Sequence, residues 1–163
     1  MLSIRPNTDG PDLEALTPNG SQPTSFADST PTTPARPLRV LAVDDELATL
    51  EMTAAILGQA GFELQTFSDT DRALNALSEQ SAGPDRFDVV LTDLFFGDVA
   101  RGFQDAEAAR ALHPPVPVVM LTARPSFSRA RDALRSQVAE ILVKPTDPGH
   151  LIEACRNLSL IHI

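Results

Sequence analysis

The body of this chain alternates short apolar runs with segments of helical periodicity, and that alternation most constrains its fold. The strand-like runs begin at Leu38 and fall at 38–43, 62–67, 87–92, 116–121 and 140–143. A short run that is apolar almost throughout is typical of a strand buried on both faces, as in parallel sheets. Five such strands with helical segments between and after them predict an α/β fold, a doubly wound five-stranded parallel sheet with five helices.

Helical spacing and capping signals locate the helices between these strands. The apolar residues expected to share one face of the first helix are Leu47, Leu50, Ala54 and Leu57, with Gly61 as its stop signal. Those expected to do the same for the fourth helix are Phe127, Ala130, Leu134 and Val138. The last helix is predicted to begin after Asp147, with Pro148 first, and to turn Leu151, Cys155 and Leu158 to one side.

Residues 1–37 differ in composition from the remainder of the chain. They hold seven of the fourteen prolines and a single aromatic residue, Phe26. Such a segment cannot bury enough apolar surface to offset the entropy lost on ordering. We therefore expect a disordered or polyproline-like N-terminal arm, either a passive extension or a partner-binding segment, followed by one globular domain over 38–163.

Charge and composition exclude several classes of protein. The net charge is −9, and the twelve arginines form no basic stripe, which argues against nucleic-acid binding. No stretch approaches the length of apolar sequence needed to cross a membrane, and the N-terminus lacks an apolar signal region. The single cysteine, Cys155, excludes an internal disulfide and is consistent with a reducing compartment. We expect a cytoplasmic protein with neither a nucleic-acid nor a membrane partner.

Polar residues follow four of the five predicted strands. Asp44 and Asp45 follow the first, Asp93 the third, Thr122 the fourth, and Lys144, the only lysine, the fifth. In open α/β sheets the carboxyl ends of parallel strands meet at one rim, where ligands bind. Each motif alone is weakly specific, but their order and spacing bring three carboxylates, a hydroxyl and an ammonium together. These groups can bind a divalent cation and accept a phosphoryl group.

With these five residues in this order, residues 38–163 resemble the receiver domain of two-component response regulators. The resemblance implies a flavodoxin-like strand order 2-1-3-4-5, Asp93 as phosphoacceptor, and a cis Lys144–Pro145 bond. It implies Mg²⁺, with Mn²⁺ as an alternative ion, held by Asp44, Asp45, Asp93 and the backbone carbonyl of Phe95. Thr122 and Lys144 would then contact the phosphoryl group.

The resemblance also implies a signalling role rather than an enzyme that acts on an external substrate. The phosphoryl donor would be a histidine kinase or a histidine phosphotransfer protein. Because only twelve residues follow Leu151, we expect no output domain after it. The signal would leave by a protein contact, by a phosphorelay step, or through a homodimer formed by the fourth helix, fifth strand and last helix.

Two departures from the family pattern bear on this interpretation. Ile141 stands where the family usually has Tyr or Phe, a ring that turns inward on phosphorylation and so reports the state of Thr122. Without that ring, the fourth helix must respond to phosphorylation by its own displacement or by changing partners. Phe95 and Phe96 stand where an aliphatic residue or Met followed by Pro is usual. Two rival functions remain: an atypical receiver that binds partners without phosphorylation, and a haloacid-dehalogenase-type phosphatase. The phosphatase needs a second Asp at the position of Phe95.

Overall fold

The computed structural model describes residues 36–96 and 100–161, and within them the predicted alternation of strands and helices is present. The strands are β1 (Arg39–Val43), β2 (Glu63–Phe67), β3 (Val89–Asp93), β4 (Val118–Thr122) and β5 (Glu140–Val143). The helices are α1 (Leu47–Gln59), α2 (Thr70–Glu79), α3 (Gly102–Ala111), α4 (Phe127–Arg135) and α5 (Pro148–Ile161). Residues 1–35 of the expected N-terminal arm and the last two residues lie outside the described residues.

The five strands form one parallel sheet in the order β2-β1-β3-β4-β5. This confirms the flavodoxin-like order and the count of five strands and five helices. The chain crosses back over the sheet after β2, so helices cover both faces. Helices α1 and α5 pack on one face, and α2, α3 and α4 pack on the other.

Alternate residues of the central strands supply the two halves of the core. In β1, Val40 and Ala42 face the α1/α5 side, whereas Leu41 and Val43 face the opposite side. This alternation follows from the two-residue period of a strand. Every residue of β3 and β4 is buried, which explains why these strands appear in the sequence as unbroken apolar runs.

The predicted core-facing residues of α1 and α4 were partly wrong. Leu47 is 65% exposed because it is the first residue of α1, just beyond the end of β1, and Thr53 is buried instead. In α4, Leu134 is 73% exposed and Ala130 is also exposed, while the neighbouring Ala133 is buried. Apolar spacing identified a helix in each case, but it did not fix which of two adjacent positions meets the sheet.

The predicted helix boundaries at Gly61 and Asp147 are confirmed. Gly61 lies just after α1 with φ of 92°, in the left-handed region that glycine enters readily. Pro148 begins α5, and the Asp147 carboxylate accepts a hydrogen bond from the backbone N–H of His150 at 3.1 Å. Within the described part of the chain, no helix combines the length and apolar character that spanning a membrane requires.

The first turn of α3 is seated directly on the backbone at the end of β3. The N–H of Gly102 donates to the carbonyl oxygen of Leu94 at 3.2 Å. A Cβ at Gly102 would lie 2.4 Å from the carbonyl oxygen of Asp93, closer than non-bonded atoms can approach. Glycine is therefore required for α3 to contact the strand this closely, and α3 in turn supports the backbone of Asp93.

A buried polar pair lies beneath the same strand end. Asp105 in α3 is 1% exposed, and the hydroxyl oxygen of Thr92 lies 2.7 Å from its Oδ2 and 3.1 Å from the carbonyl oxygen of Asp93. The hydroxyl has one hydrogen for two acceptors, and Asp105 Oδ1 has no partner among the described residues. Burial raises the pKa of Asp105 to about 6, although the Thr92 hydroxyl and the charge of Arg101 oppose the shift. When protonated, Asp105 can donate to Thr92, whose hydroxyl then donates to Asp93.

Gly102→Ala is expected to destabilise the fold, since its methyl group would collide with backbone that cannot easily move. The cost should be about 1–3 kcal/mol, as for other overpacked sites. Gly58→Ala in α1 is the matched control, because a Cβ there meets no atom within 4 Å, and it should stabilise the helix by up to about 1 kcal/mol. Urea unfolding of both variants measures the difference, and equal effects would contradict the close approach of α3.

Asp105 is expected to make stability fall as the pH rises from about 4, the pKa of an unfolded Asp, to about 6. The folded state holds the Asp105 proton more tightly, so stability from this group is complete below pH 4 and is lost as the pH passes 6. The loss should be at most about 3 kcal/mol. Asp105→Asn should flatten the profile in this window when unfolding by urea is measured across it. Parallel profiles for the two proteins would rule out a raised pKa at Asp105.

Candidate functional site

The structure brings all five polar residues of the sequence pattern to one rim of the sheet. Asp44 and Asp45 directly follow β1, Asp93 and Thr122 are the last residues of β3 and β4, and Lys144 directly follows β5. The N–H of Lys144 donates to the carbonyl oxygen of Thr122 at 2.8 Å, which continues the pairing of β5 with β4. The Lys144–Pro145 bond is cis, as expected. The rim forms because parallel strands all end on the same side.

Three carboxylates gather at the centre of this rim. One oxygen from each of Asp44, Asp45 and Asp93 lies within 4.8 Å of the others. Asp44 and Asp93 are buried, and Asp45 is exposed. Carboxylate oxygens are the ligands that Mg²⁺ prefers in proteins, and Mg²⁺ usually keeps several waters beside one or two carboxylates. The three residues thus fit a divalent cation approached from the solvent side of Asp45.

The ammonium group of Lys144 bridges the two buried carboxylates. Its Nζ lies 2.6 Å from Asp44 Oδ2 and 3.1 Å from Asp93 Oδ2. Burial alone would lower the pKa of Lys144, but the hydrogen bond to Asp44 and the charges of both carboxylates outweigh burial, so the pKa is raised. Lys144 is therefore a cation at neutral pH, and it offsets part of the repulsion between the two acids.

Asp44 and Asp93 are held by backbone groups as well as by Lys144. The N–H of Glu46 donates to Asp44 Oδ1 at 2.9 Å. Burial raises the pKa of Asp44, an effect that the hydrogen bonds from Lys144 and Glu46 only partly oppose. The N–H of Phe95 donates to Asp93 Oδ1 at 3.3 Å, so each oxygen of Asp93 has a donor. The role of the Phe95 carbonyl as a metal ligand stays a prediction.

Thr122 presents its hydroxyl at the same rim. The side chain is buried, and its Oγ1 accepts a hydrogen bond from the N–H of Arg124 at 3.1 Å. A hydroxyl that accepts in this way keeps its own hydrogen for donation to an oxygen at the rim. Behind Thr122, between α4 and the sheet, lies a cavity of about 40 Å³ that Ile141 also lines.

Two features near the site were missed by sequence reasoning. The first is that arginine side chains lie over the Phe95 ring. The Cζ of Arg129 lies 4.0 Å from the ring centroid, and that of Arg124 lies 5.7 Å from it. The second feature is the Asp105–Thr92 pair beneath Asp93. No fixed spacing links an arginine of α4 to a loop after β3, and an acid in the first turn of a helix usually lies on its surface near the helix dipole.

Sequence comparison identifies relatives across most of the chain. The family described as "Response regulator receiver domain" matches residues 40–156. The chain is 29% identical over 123 residues to the "Transcriptional regulatory protein ZraR" of Escherichia coli (strain K12), which covers 76% of this chain and 26% of that protein. It is 32% identical over 120 residues to the "DNA-binding response regulator MtrA" of Mycolicibacterium paratuberculosis, covering 72% and 49% respectively. The chain thus spans less than half the length of these curated relatives.

Solved structures of receiver domains have the same fold. One is a CheY-like response regulator receiver domain protein from Methanospirillum hungatei JF-1, with a TM-score of 0.68 and 25% identity, covering 77% of this chain and 96% of that one. Another is the chemotaxis response regulator CheY4 of Vibrio cholerae, with a TM-score of 0.63 and 30% identity, covering 75% and 98%. Because the family match extends over most of the chain, this chain belongs to the family of response regulator receiver domains.

Proposed function

We propose that this protein is a response regulator of a two-component or phosphorelay system that accepts a phosphoryl group on Asp93 in a Mg²⁺-dependent reaction. The donor is a histidine kinase or a histidine phosphotransfer protein. The observation that carries the proposal is the Lys144 ammonium lying between the carboxylates of Asp44 and Asp93, with Asp45 beside them. Such a cluster combines a nucleophile with the charges that a transferred phosphoryl group needs.

The transfer is a nucleophilic displacement at phosphorus. A carboxylate oxygen of Asp93 forms the new O–P bond, while the N–P bond of the donor phosphohistidine breaks and its electron pair returns to the imidazole nitrogen. The N–H of Phe95 and the ammonium of Lys144 hold the carboxylate in place before the reaction. Afterwards Lys144 and the Thr122 hydroxyl bind the phosphoryl oxygens, whose negative charge they partly neutralise.

The acidic side chains at the rim would hold the metal ion. Asp44, Asp45 and Asp93, with the backbone carbonyl of Phe95, supply only oxygen ligands, which suits Mg²⁺ and also Mn²⁺. The ion would supply positive charge to the phosphoryl oxygens during transfer. Asp45, as the exposed member of the group, is the one that solvent and an incoming donor meet first.

The two rival functions are less well supported. An Asp-nucleophile phosphatase of the haloacid-dehalogenase type needs an acid two residues after the nucleophile, and Phe95 cannot supply a proton. A receiver that acts only as an interaction module would not need a nucleophile, a lysine and three carboxylates at one rim. We therefore expect this protein to catalyse only its own phosphorylation and dephosphorylation.

The surface formed by α4, β5 and α5 is the proposed route for the signal. Three large apolar side chains on these elements are exposed, namely Leu134, Val143 and Leu160. They fit a phosphorylation-dependent contact with another protein, or a homodimer. The net charge of −9 favours a protein over a nucleic acid as the partner, and we place this signalling in the cytoplasm.

Asp93→Asn is expected to abolish phosphorylation, because an amide oxygen is a poor nucleophile. With acetyl phosphate and Mg²⁺, intact mass should show one added phosphoryl group on the unaltered protein and almost none on the variant. Asp85→Asn, which removes an exposed acid in the loop before β3, is the matched control and should be labelled normally. Equal labelling of Asp93→Asn would show that Asp44 or Asp45 is the acceptor.

Removal of residues 1–35 is expected to leave phosphorylation intact. Arg36 pairs with Asp88, with its two guanidinium nitrogens 2.9 Å and 3.1 Å from the carboxylate oxygens. Asp88 immediately precedes the first residue of β3, whereas Asp93 is its last residue, so the two lie at opposite ends of the strand. A truncated chain that keeps Arg36 should be labelled by acetyl phosphate within about twofold of the full rate, less than about 0.5 kcal/mol of barrier. A large loss would show that the arm reaches the rim.

A further inference from the structure

Few of the described side chains of helix α4 are buried against the sheet. Of its described side chains, only Ala133 is buried and Arg129 is half-buried, while the others are exposed. Thr122, Ile141, Arg129 and Ala133 all line the cavity of about 40 Å³ between α4 and the sheet. Where this pocket lies, the side chains of α4 and those of the sheet do not pack directly against one another. Helix α4 can therefore shift against the sheet at a lower cost than a tightly packed helix.

One contact runs from α4 to the residue that holds the phosphoacceptor. The Cζ of Arg129 lies 4.0 Å from the centroid of the Phe95 ring, well within the range of a cation–π interaction. The backbone N–H of the same Phe95 donates to Asp93 Oδ1. At the other end of the contact, the N–H of Arg129 donates to the side chain of Ser126, the N-cap of α4, at 3.4 Å. The Phe95 ring is thus in contact with the first turn of α4 through Arg129.

Ile141 offers no equivalent link between the site and α4. It is half-buried and lines the cavity behind Thr122, but a branched aliphatic side chain has no ring to turn into that space. Phe95, by contrast, lies in the loop that follows Asp93, and its aromatic ring contacts Arg129 of α4.

We propose that Arg129 is a positioning residue for the phosphoacceptor loop and that its stack on Phe95 couples phosphorylation of Asp93 to α4. This inference rests on the proposed function. Phosphorylation turns one carboxylate oxygen of Asp93 into the bridging oxygen of an acyl phosphate, and it replaces the single carboxylate charge with a phosphoryl group of about −1.5 to −2. The hydrogen bond from the Phe95 N–H and the field at the Arg129 guanidinium both change as a result. Since coupling between two sites is reciprocal, the position of α4 also affects how readily the phosphorylated state forms.

The test compares four full-length chains: the unaltered protein, Arg129→Gln, Arg129→Lys and the control Arg131→Gln. Arg131 lies on the same helix and is exposed, so its replacement changes the charge equally without affecting the stack. Amide hydrogen exchange of residues 126–136 is measured with Mg²⁺ alone and with Mg²⁺ and beryllium fluoride, a phosphoryl mimic. Intact mass after acetyl phosphate treatment records whether each chain can still be phosphorylated.

The expected result is a difference in α4 exchange between the two states of the unaltered protein that Arg129→Gln largely removes. The difference should shrink about fivefold, which corresponds to about 1 kcal/mol for the stack. Arg129→Lys should keep part of it, because lysine retains the charge but not the flat guanidinium. Arg131→Gln should behave as the unaltered protein does. A purely structural role would raise exchange equally in both states and leave the difference unchanged.

The outcomes separate this inference from the proposed function. If the unaltered protein takes up no phosphoryl group, the proposed function fails and the coupling fails with it. If all chains are labelled and Arg129→Gln keeps the full α4 response, the coupling through Arg129 is wrong while the proposed function stands. If α4 of Arg129→Gln exchanges fully in both states, that variant cannot report a difference, and Arg129→Lys is used instead. An undiminished difference in α4 exchange between the two states of Arg129→Lys overturns the inference.

Discussion

The ammonium of Lys144, held between the carboxylates of Asp44 and Asp93, is the interaction on which the arrangement of this site depends. Two buried carboxylates repel each other, and either one left unpaired would be costly. The neutralising charge comes from the end of β5, an edge strand, while the acids come from the central strands β1 and β3. In this parallel sheet the three strands end at the same rim, which brings these groups within hydrogen-bonding distance. Because the pair gains little net stability against its desolvation, chemistry rather than folding best accounts for the cluster.

Asp93, the proposed acceptor, is held in place by contacts beneath the end of β3 as well as by contacts at the rim. Helix α3 contacts the backbone of Asp93 because Gly102 has no side chain, and Thr92 stands between Asp105 and the carbonyl of Asp93. Each arrangement fixes main-chain atoms, so the carboxylate of Asp93 is oriented before any donor arrives. In the proposed transfer, preorganisation of this kind would lower the cost of reaching the transition state, since fewer groups would have to be reordered.

The sequence predicted the parts of the structure that follow from burial and strand direction. Asp93 and Lys144 could be placed at one rim because each follows a buried apolar run, and the strand order came from the family resemblance. The orientation of Leu134 could not be predicted, because Ala133 is the one α4 side chain that is buried among those the structure describes. The contact between Arg129 and Phe95 was also out of reach, since it joins elements that no local sequence pattern relates.

The uneven attachment of the helices indicates where a signal can leave the site. Helix α1 buries Leu50, Thr53 and Leu57, so displacing it would expose several side chains. Helix α4 has a pocket beneath it, and of its described side chains Ala133 alone is buried. Segments with few buried contacts move at the lowest free-energy cost. A phosphoryl group can shift an equilibrium only by the difference in its interactions with the two states. If a change in charge near Phe95 displaces a helix, α4 is therefore expected to move before α1, and the exposed Leu134 would move with it.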